Sequence, residues 1–224
     1  MGEAQTVMLD DGTRMSLNTN TRLRVEFSAK QRTVSIGGGE AAFEVAKDAQ
    51  RPFVVRAGGS EVVALGTVFI VRLTPSGPSA GESLAVTLVE GKVSVRAAAG
   101  AGAGEVAPER PLVMNPGERV RLAKAGGQQA LATQQLDRPR LEQVLAWKRS
   151  EAVFDGATLA EAAAEMNRYS RMPVVLVGDL AQADWQVSGQ FRTGDNAAFA
   201  NALALLHGLV VHERQGRLEL SRSP

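Results

Sequence analysis

Few residues in this 224-residue chain have types and spacing that could do chemistry, and Gly66-Thr67 is the pair with a specific reaction open to it. It stands in Leu65-Gly66-Thr67, between the apolar runs Val62 to Ala64 and Val68 to Val71. Glycine admits a strained backbone there, and the threonine hydroxyl could then attack the preceding carbonyl, converting the amide to an ester that water opens. The same residues also fit a β-bulge followed by an ordinary strand residue. His207 and His212 lie five apart with Gly208 between them and no acidic cluster beside them, so they read as surface or helix-end histidines and no metal site is expected. Gly37-Gly38-Gly39-Glu40 precedes a strand, Ala41 to Val45, and not the helix a phosphate loop requires; it reads as a turn, and no cofactor is expected. The chain has no cysteine, which removes disulfides, Cys-zinc sites and thiol nucleophiles together. No Gly-x-Ser-x-Gly or His-Glu-x-x-His pattern occurs, and the expectation is a protein without a catalytic site other than this possible self-cleavage.

Composition narrows the partners. Lys and Arg number 25 against 24 Asp and Glu, so there is no basic field to displace counterions from phosphates, and nucleic acid is not an expected partner. The last 74 residues carry 6 basic and 9 acidic side chains, leaving 19 and 15 for the first 150; a lean of −3 against +4 is too small to name a ligand. Hydrophobic residues at 44% and charged residues at 22% are globular proportions. No apolar run reaches the roughly 18 residues of a membrane helix, and Met1-Gly2-Glu3 lacks the order of a signal peptide, so the chain reads as a soluble fragment.

The elements that must position these residues fall into two textures. From Val7 to about Leu122, short segments alternate apolar with polar and close on Gly, Asn, Asp or Pro, the period of half-buried strands. Ala41, Phe43 and Val45 face one way; Phe53, Val55 and Ala57 do the same, as do Val93 and Val95. Glu90-Gly91 reads as a tight hairpin between Leu84 to Val89 and Lys92 to Arg96. About a dozen strands result, arranged as a two-sheet sandwich or a solenoid-like domain, over residues 1–135. Thr74 to Ser83 and Ala97 to Pro111 read as loops, the second flexible through its Ala-Gly repeat from Ala99 to Gly104. A connecting helix from Arg138 through Arg149, within a joint at 136–150, carries Leu141, Val144, Leu145 and Lys148 at helical spacing and ends near Trp147.

Residues 151–224 contain an internal repeat. Phe154 lies 4 residues before Thr158 and 20 before Val174; Phe191 lies 4 before Asp195 and 19 before Val210. Thr158 with Glu161 forms a capping box and Asp195 an N-cap, so two helices start at matching offsets. Leu159, Ala163, Met166 and Ser170 line one helical face; Phe199, Leu203 and Leu206 line the other. A strand from Arg217 to Ser221 returns through the Gln215-Gly216 turn, giving a small α+β domain of βαβ-βαββ type. Trp147, Tyr169 and Trp185 flank this domain, where aromatics either pack a joint or anchor an interface.

Asp11-Gly12 with Leu17-Asn18, Gly39-Glu40-Ala41-x-Phe43-x-Val45, Pro52-Phe53-x-Val55, Leu65-Gly66-Thr67-x-Phe69-x-Val71, Glu90-Gly91-x-Val93 and Pro116-Gly117-Glu118 follow one another in the order of the FecR family of anti-sigma regulators. The second part, with Trp147, Phe154, Leu159, Asn167-Arg168-Tyr169 and Val187-Ser188-Gly189-x-Phe191, resembles that family's domain related to the secretin and TonB short N-terminal fold. The resemblance implies the periplasmic, signal-receiving region of a single-pass regulator, with its cytoplasmic sigma-binding segment and membrane helix outside this chain. It implies that the periplasmic signalling domain of an outer-membrane TonB-dependent transporter, often one for ferric siderophores, binds the C-terminal region and controls an extracytoplasmic-function sigma factor in iron uptake. It also implies self-cleavage between Gly66 and Thr67 as some members perform it. The chain departs from the family at Trp147-Lys148-Arg149-Ser150, where relatives tend to have Trp-x-x-Gly.

For the partner-binding surface, the sequence points to sheet edges at Met172, Val174 and Leu176 and at Arg217, Leu218 and Leu220, since an edge strand leaves backbone groups that a partner strand completes. The helical face with Leu159, Met166 and Tyr169 is the alternative. A competing reading, a carbohydrate-active or carbohydrate-binding β-domain with an attached interaction module, requires stacking aromatics, and the β-rich part has no Trp or Tyr.

Overall fold

The computed structural model describes residues 4–75, 82–97, 110–125 and 128–223. The chain divides into two compact units, one spanning Gln5–Leu141 and one built from Glu142 onward. The Ala-Gly repeat and the middle of the Thr74 to Ser83 loop lie outside the described residues.

Alternation builds the first unit. Its strands are β1 (Gln5–Met8), β2 (Arg14–Leu17), β3 (Arg22–Phe27), β4 (Arg32–Glu44), β5 (Phe53–Ala57), β6 (Ser60–Ala64), β7 (Val68–Thr74), β8 (Ser83–Glu90), β9 (Val93–Ala97), β10 (Leu112–Met114), β11 (Glu118–Ala125) and β12 (Gln128–Gln135). They form one 12-stranded curled sheet, ordered β10-β9-β6-β5-β4-β7-β8-β11-β12, with β2 and β3 also on β4, and β1 on β2. The hinge of this arrangement is β4. Its first half pairs with β3 and, in parallel, with β5; its second half pairs with β2 and β7. The two halves of the sheet face each other through Phe43, whose ring lies 5.2 Å from Phe69 in its own half and 5.6 Å from Phe53 in the other. The fold thus has the facing layers of a sandwich, and the parallel β4–β5 step gives it one solenoid-like coil.

Three local expectations are corrected. Gly37-Gly38-Gly39 is no turn: β4 runs straight through it and changes partners there. Gly39 has φ +99°, and a Cβ on it would sit 2.4 Å from the Thr21 Cα, so close backbone approach requires glycine at the crossing. Glu90-Gly91 does not close a hairpin, because β8 pairs with β7 and β11 whereas β9 pairs with β6 and β10; it carries the chain from one half of the sheet to the other. The hairpin partner of β11 is β12, a Gln- and Ala-rich strand that the apolar pattern does not announce.

Among the buried charged residues of the β body are Arg32 and Glu61. Arg32, 0% exposed, donates from Nη1 to Asp11 Oδ2 at 2.7 Å and to the Ala46 carbonyl at 3.0 Å, and from Nε to the Arg51 carbonyl at 3.0 Å. Glu61 on β6 lies under two guanidinium groups, Arg56 on β5 at 3.0 Å and Arg96 on β9 at 2.9 Å, its cross-strand partners on either side.

The second unit opens on α1 (Arg138–Leu145), which begins before the division at Glu142 and continues as a 3-10 turn, Ala146–Arg149. It then runs β13 (Glu151–Thr158), α2 (Leu159–Asn167), β14 (Val174–Leu176), β15 (Gln186–Arg192), α3 (Asn196–His207), β16 (Leu209–Arg214) and β17 (Arg217–Arg222). The expected repeat is there, with β13 and β15 pairing as one antiparallel sheet and β14-β17-β16 forming the other. Both caps form: Thr158 and Glu161 make a complete capping box, and the Asp195 carboxylate accepts the Ala198 N–H at 3.0 Å. Leu159, Ala163 and Met166 from α2, Phe199 and Leu203 from α3, and Leu218 and Leu220 from β17 bury into one core.

Ser150, at the point where the resemblance leads one to expect glycine, has φ 60° and ψ 38°. That left-handed conformation costs a residue with a Cβ about 1–2 kcal/mol, partly offset by the extra unfolded-state freedom of glycine, about 0.4–1 kcal/mol. Ser150→Gly is therefore expected to stabilise the unit by about 0.5–1 kcal/mol. Urea unfolding followed by tryptophan fluorescence checks this, and a lower midpoint in the variant would contradict it.

Candidate functional site

At Gly66-Thr67 the backbone enters the left-handed region that favours glycine. Gly66 has φ +79°, and a Cβ there would lie 2.4 Å from Lys47 Cγ. Thr67 is buried, its carbonyl accepts the Val45 N–H at 2.9 Å, and its Oγ1 is buried without a hydrogen-bond partner among the described residues. A buried hydroxyl normally finds a partner. The methyl side of Thr67 is covered by Gly91, where a Cβ would approach Cγ2 to 2.7 Å.

The residues expected to bind a partner are not brought together on one surface. Leu159, Met166, Val174, Leu218 and Leu220 are core residues, and Met172 and Leu176 pack half-buried against them. Arg217, Leu218 and Leu220 lie on no edge, because β17 is the central strand, bonded to β14 on one side and β16 on the other. Tyr169 is half-buried and donates its hydroxyl to Glu165 Oε1 at 3.1 Å. The β14 edge is real but occupied in part: the Asn167 carboxamide accepts the Val174 N–H at 2.7 Å and donates to the Val174 carbonyl at 2.8 Å, standing in for a neighbouring strand.

The surface that sequence reasoning missed is on α3. Leu206, read as inward, is 69% exposed and Leu205 is 90% exposed, while Phe199, Ala200 and Leu203 are the residues turned to the core. Ala197, Ala198, Asn201 and Ala202 share the exposed side, so a helix without a single charged residue shows solvent an apolar face. The absence of charge across Asn196–His207 was the available signal. Close by in sequence, the imidazole of His207 stacks on Trp185 with centroids 4.8 Å apart, and Arg222 lies 5.3 Å from the same ring. Arg222 also forks onto both Asp179 oxygens, at 3.1 and 2.9 Å, and this hydrogen bonding holds the Asp179 carboxyl below its ordinary value.

No group of three or more His, Asp and Glu among the described residues is arranged to hold a metal ion. No helix among them is long and apolar enough to cross a membrane. The described residues form a curled β body followed by a doubled strand-helix-strand module with an exposed apolar helix face. Residues 1–94 match the family model described as FecR protein. Two crystal structures of a "putative anti-sigma factor" from Parabacteroides distasonis ATCC 8503, at 1.65 and 2.50 Å resolution, resemble the whole chain. Each has a TM-score of 0.75 and 25% identity, covering 100% of this chain and 96% of that chain. No curated protein matches. The first 94 residues are thus similar to FecR proteins, and the whole chain is similar in fold to these anti-sigma factor structures.

Proposed function

We propose that this chain is the periplasmic signal-receiving region of its regulator, and that the second unit docks the signalling domain of a TonB-dependent transporter, in siderophore-linked iron uptake. The message passes to an extracytoplasmic-function sigma factor through a segment outside this chain. The observation that carries the reading is the uncharged α3 face with Leu205 and Leu206 open to solvent on an otherwise well-packed module. Apolar side chains at the centre of a patch are what a protein partner desolvates. Calorimetric titration with purified transporter signalling domains tests it. The whole chain should bind one of them, and a chain ending at Leu141 should bind none; binding by the shortened chain would show that the receiver lies in the β body.

A second reading, compatible with the first, is self-cleavage between Gly66 and Thr67, favoured by the unpartnered Thr67 hydroxyl behind a left-handed glycine. Thr67 Oγ1 attacks the Gly66 carbonyl carbon, the C–N bond breaks as the hydroxyl proton passes to the nitrogen, and an ester forms with a free Thr67 amine. Water then hydrolyses the ester, leaving Gly66 with a carboxylate. Intact-mass spectrometry should find two fragments meeting at this bond and only the full mass for Thr67→Ala. The same two fragments from Thr67→Ala would refute the mechanism.

A further inference from the structure

The edges of the second unit are not equally open. In the β13–β15 sheet, the Thr193 N–H donates to the Ser150 carbonyl at 2.9 Å, and the register puts Glu151 opposite Arg192 and Ala152 opposite Phe191. Antiparallel bonding alternates, so the backbones of Ala152 and Phe191, and of Phe154 and Gly189, turn toward each other, while those of Val153, Ser188, Gln190 and Arg192 turn outward. On the β13 side, the outward Val153 carbonyl accepts the Gln143 Nε2 at 2.7 Å. On the β14 side, Asn167 occupies Val174 as described above. On β15, the Arg192 carbonyl accepts the Asp195 N–H at 3.3 Å, and β13 is the one strand beside it among the described residues.

A cavity of about 610 Å³ lies across the end of the β13–β15 pair, lined by Arg149, Ser150, Glu151, Gln190, Phe191 and Arg192. Arg149 is committed to Glu151, Nε to Oε2 at 3.0 Å. Arg192 is exposed and makes no ion pair among the described residues, although Glu151 stands opposite it. Two guanidinium groups therefore face one carboxylate. Along β15, Gln186, Ser188, Gln190 and Arg192 are exposed on one face, while Val187, Gly189 and Phe191 turn toward the core side. The edge of β16 is also a sheet boundary, but its exposed cation, Arg214, stands opposite another cation, Arg217, and not opposite a carboxylate as Arg192 does.

We propose that the β15 edge is a docking site for an extended segment of a protein partner that carries a carboxylate beside Arg192, completing the charge row Glu151–Arg192–carboxylate. A strand added here satisfies the outward amides of Ser188, Gln190 and Arg192, and its side chains on the exposed face stand next to Arg192 and Gln190. The segment alternates acidic or polar residues with apolar ones, the apolar set falling beside Phe191. The proposal rests on the reading of this unit as a receiver for proteins, and it specifies which edge is used and what chemistry the edge selects.

The test uses the full chain with an acetylated, amidated nine-residue peptide of alternating threonine and valine with one central glutamate, at millimolar concentration. Two control peptides carry glutamine in place of the glutamate, or N-methyl groups on alternate amides. Fluorescence anisotropy and amide hydrogen exchange are read. The glutamate peptide should bind and slow exchange at Ser188, Gln190 and Arg192. The glutamine peptide should bind about twofold to fivefold more weakly, the range of one cross-strand charge pair, and Arg192→Gln should erase that difference. The N-methylated peptide should not bind. Absence of binding, protection confined to other strands, or unimpaired binding of the N-methylated peptide would each overturn the proposal. If the peptides fail while a transporter domain still binds the whole chain, this edge is wrong and the receiver reading stands; if they succeed and no transporter domain binds, the partner assignment falls instead.

Discussion

Asp11→Ala is expected to destabilise the β body by about 3–5 kcal/mol, because it leaves the fully buried Arg32 without its counter-charge. The Asp11 side chain is 3% exposed and does more than neutralise. It accepts the Thr13 N–H at 3.0 Å and the Thr13 Oγ1 at 2.7 Å, and Thr13 Oγ1 accepts the Ala46 N–H at 3.1 Å. The loop after β1, the start of β4 and the connection to β5 are thus tied at one point, with the Arg32 guanidinium 5.5 Å from the Phe53 ring centroid. Replacing both charges, Asp11→Leu with Arg32→Met, is expected to recover much of the loss, since an apolar pair carries no uncompensated charge. The pair also gives the stability a pH dependence. Burial alone would raise the Asp11 carboxyl; the hydrogen bonds from Thr13 and Arg32 outweigh it and hold the group below its ordinary value of 3.8. A depressed folded value means the contribution is fully present above about pH 4 and is lost as pH falls through the folded value. Urea unfolding by circular dichroism at pH 7 and in that acid range measures both effects. A cost below about 1 kcal/mol at pH 7 would contradict the uncompensated-charge argument.

Phe199→Ala is expected to cost about 3–5 kcal/mol, and to cost it in the second unit alone. The ring is fully buried, meeting Phe191 edge-on at 5.0 Å and Phe154 at 6.1 Å, so truncation opens a cavity where α3 meets β13 and β15. Both tryptophans, Trp147 and Trp185, belong to the second unit, and the first contains neither. Tryptophan fluorescence therefore reports one unit while the far-ultraviolet signal of the β body reports the other. Because each unit has its own core, the fluorescence transition should move to much lower urea and the β-body transition should keep its midpoint. Equal shifts in both probes would mean the units unfold as one.

What was legible in the sequence was local. Alternation puts Phe43, Phe53, Val93 and Val95 on the inward faces, where the core has them, because a strand's faces repeat every two residues. Cap residues and helical spacing placed α2 and α3, since Thr158, Glu161 and Asp195 act within one turn of their own helix. Gly66-Thr67 was legible as a candidate for the same reason. What was hidden depends on distant partners. A glycine run inside a strand that changes partners carries the same local signal as a turn, so the sequence predicts a break where β4 is continuous. Strand order is set by pairings between β14, β16 and β17 that no single segment encodes, so the sequence predicts an edge at β17, which is central. The phase of α3 is hidden because an Ala- and Leu-rich helix has no charged residue to mark its solvent side, so the spacing groups Leu206 with Phe199 and Leu203, whereas it is exposed.

The central claim is that α3 receives a protein partner, and Leu206→Glu tests it most directly. With Leu206 on the solvent side, the substitution should leave the urea midpoint within about 0.5 kcal/mol of the parent. Calorimetric titration with the signalling domain that binds the parent chain should show affinity reduced about 30-fold or more, the loss expected when a central apolar contact is replaced by an unpaired charge. Unchanged affinity in a folded Leu206→Glu chain would place the docking surface elsewhere and contradict the account.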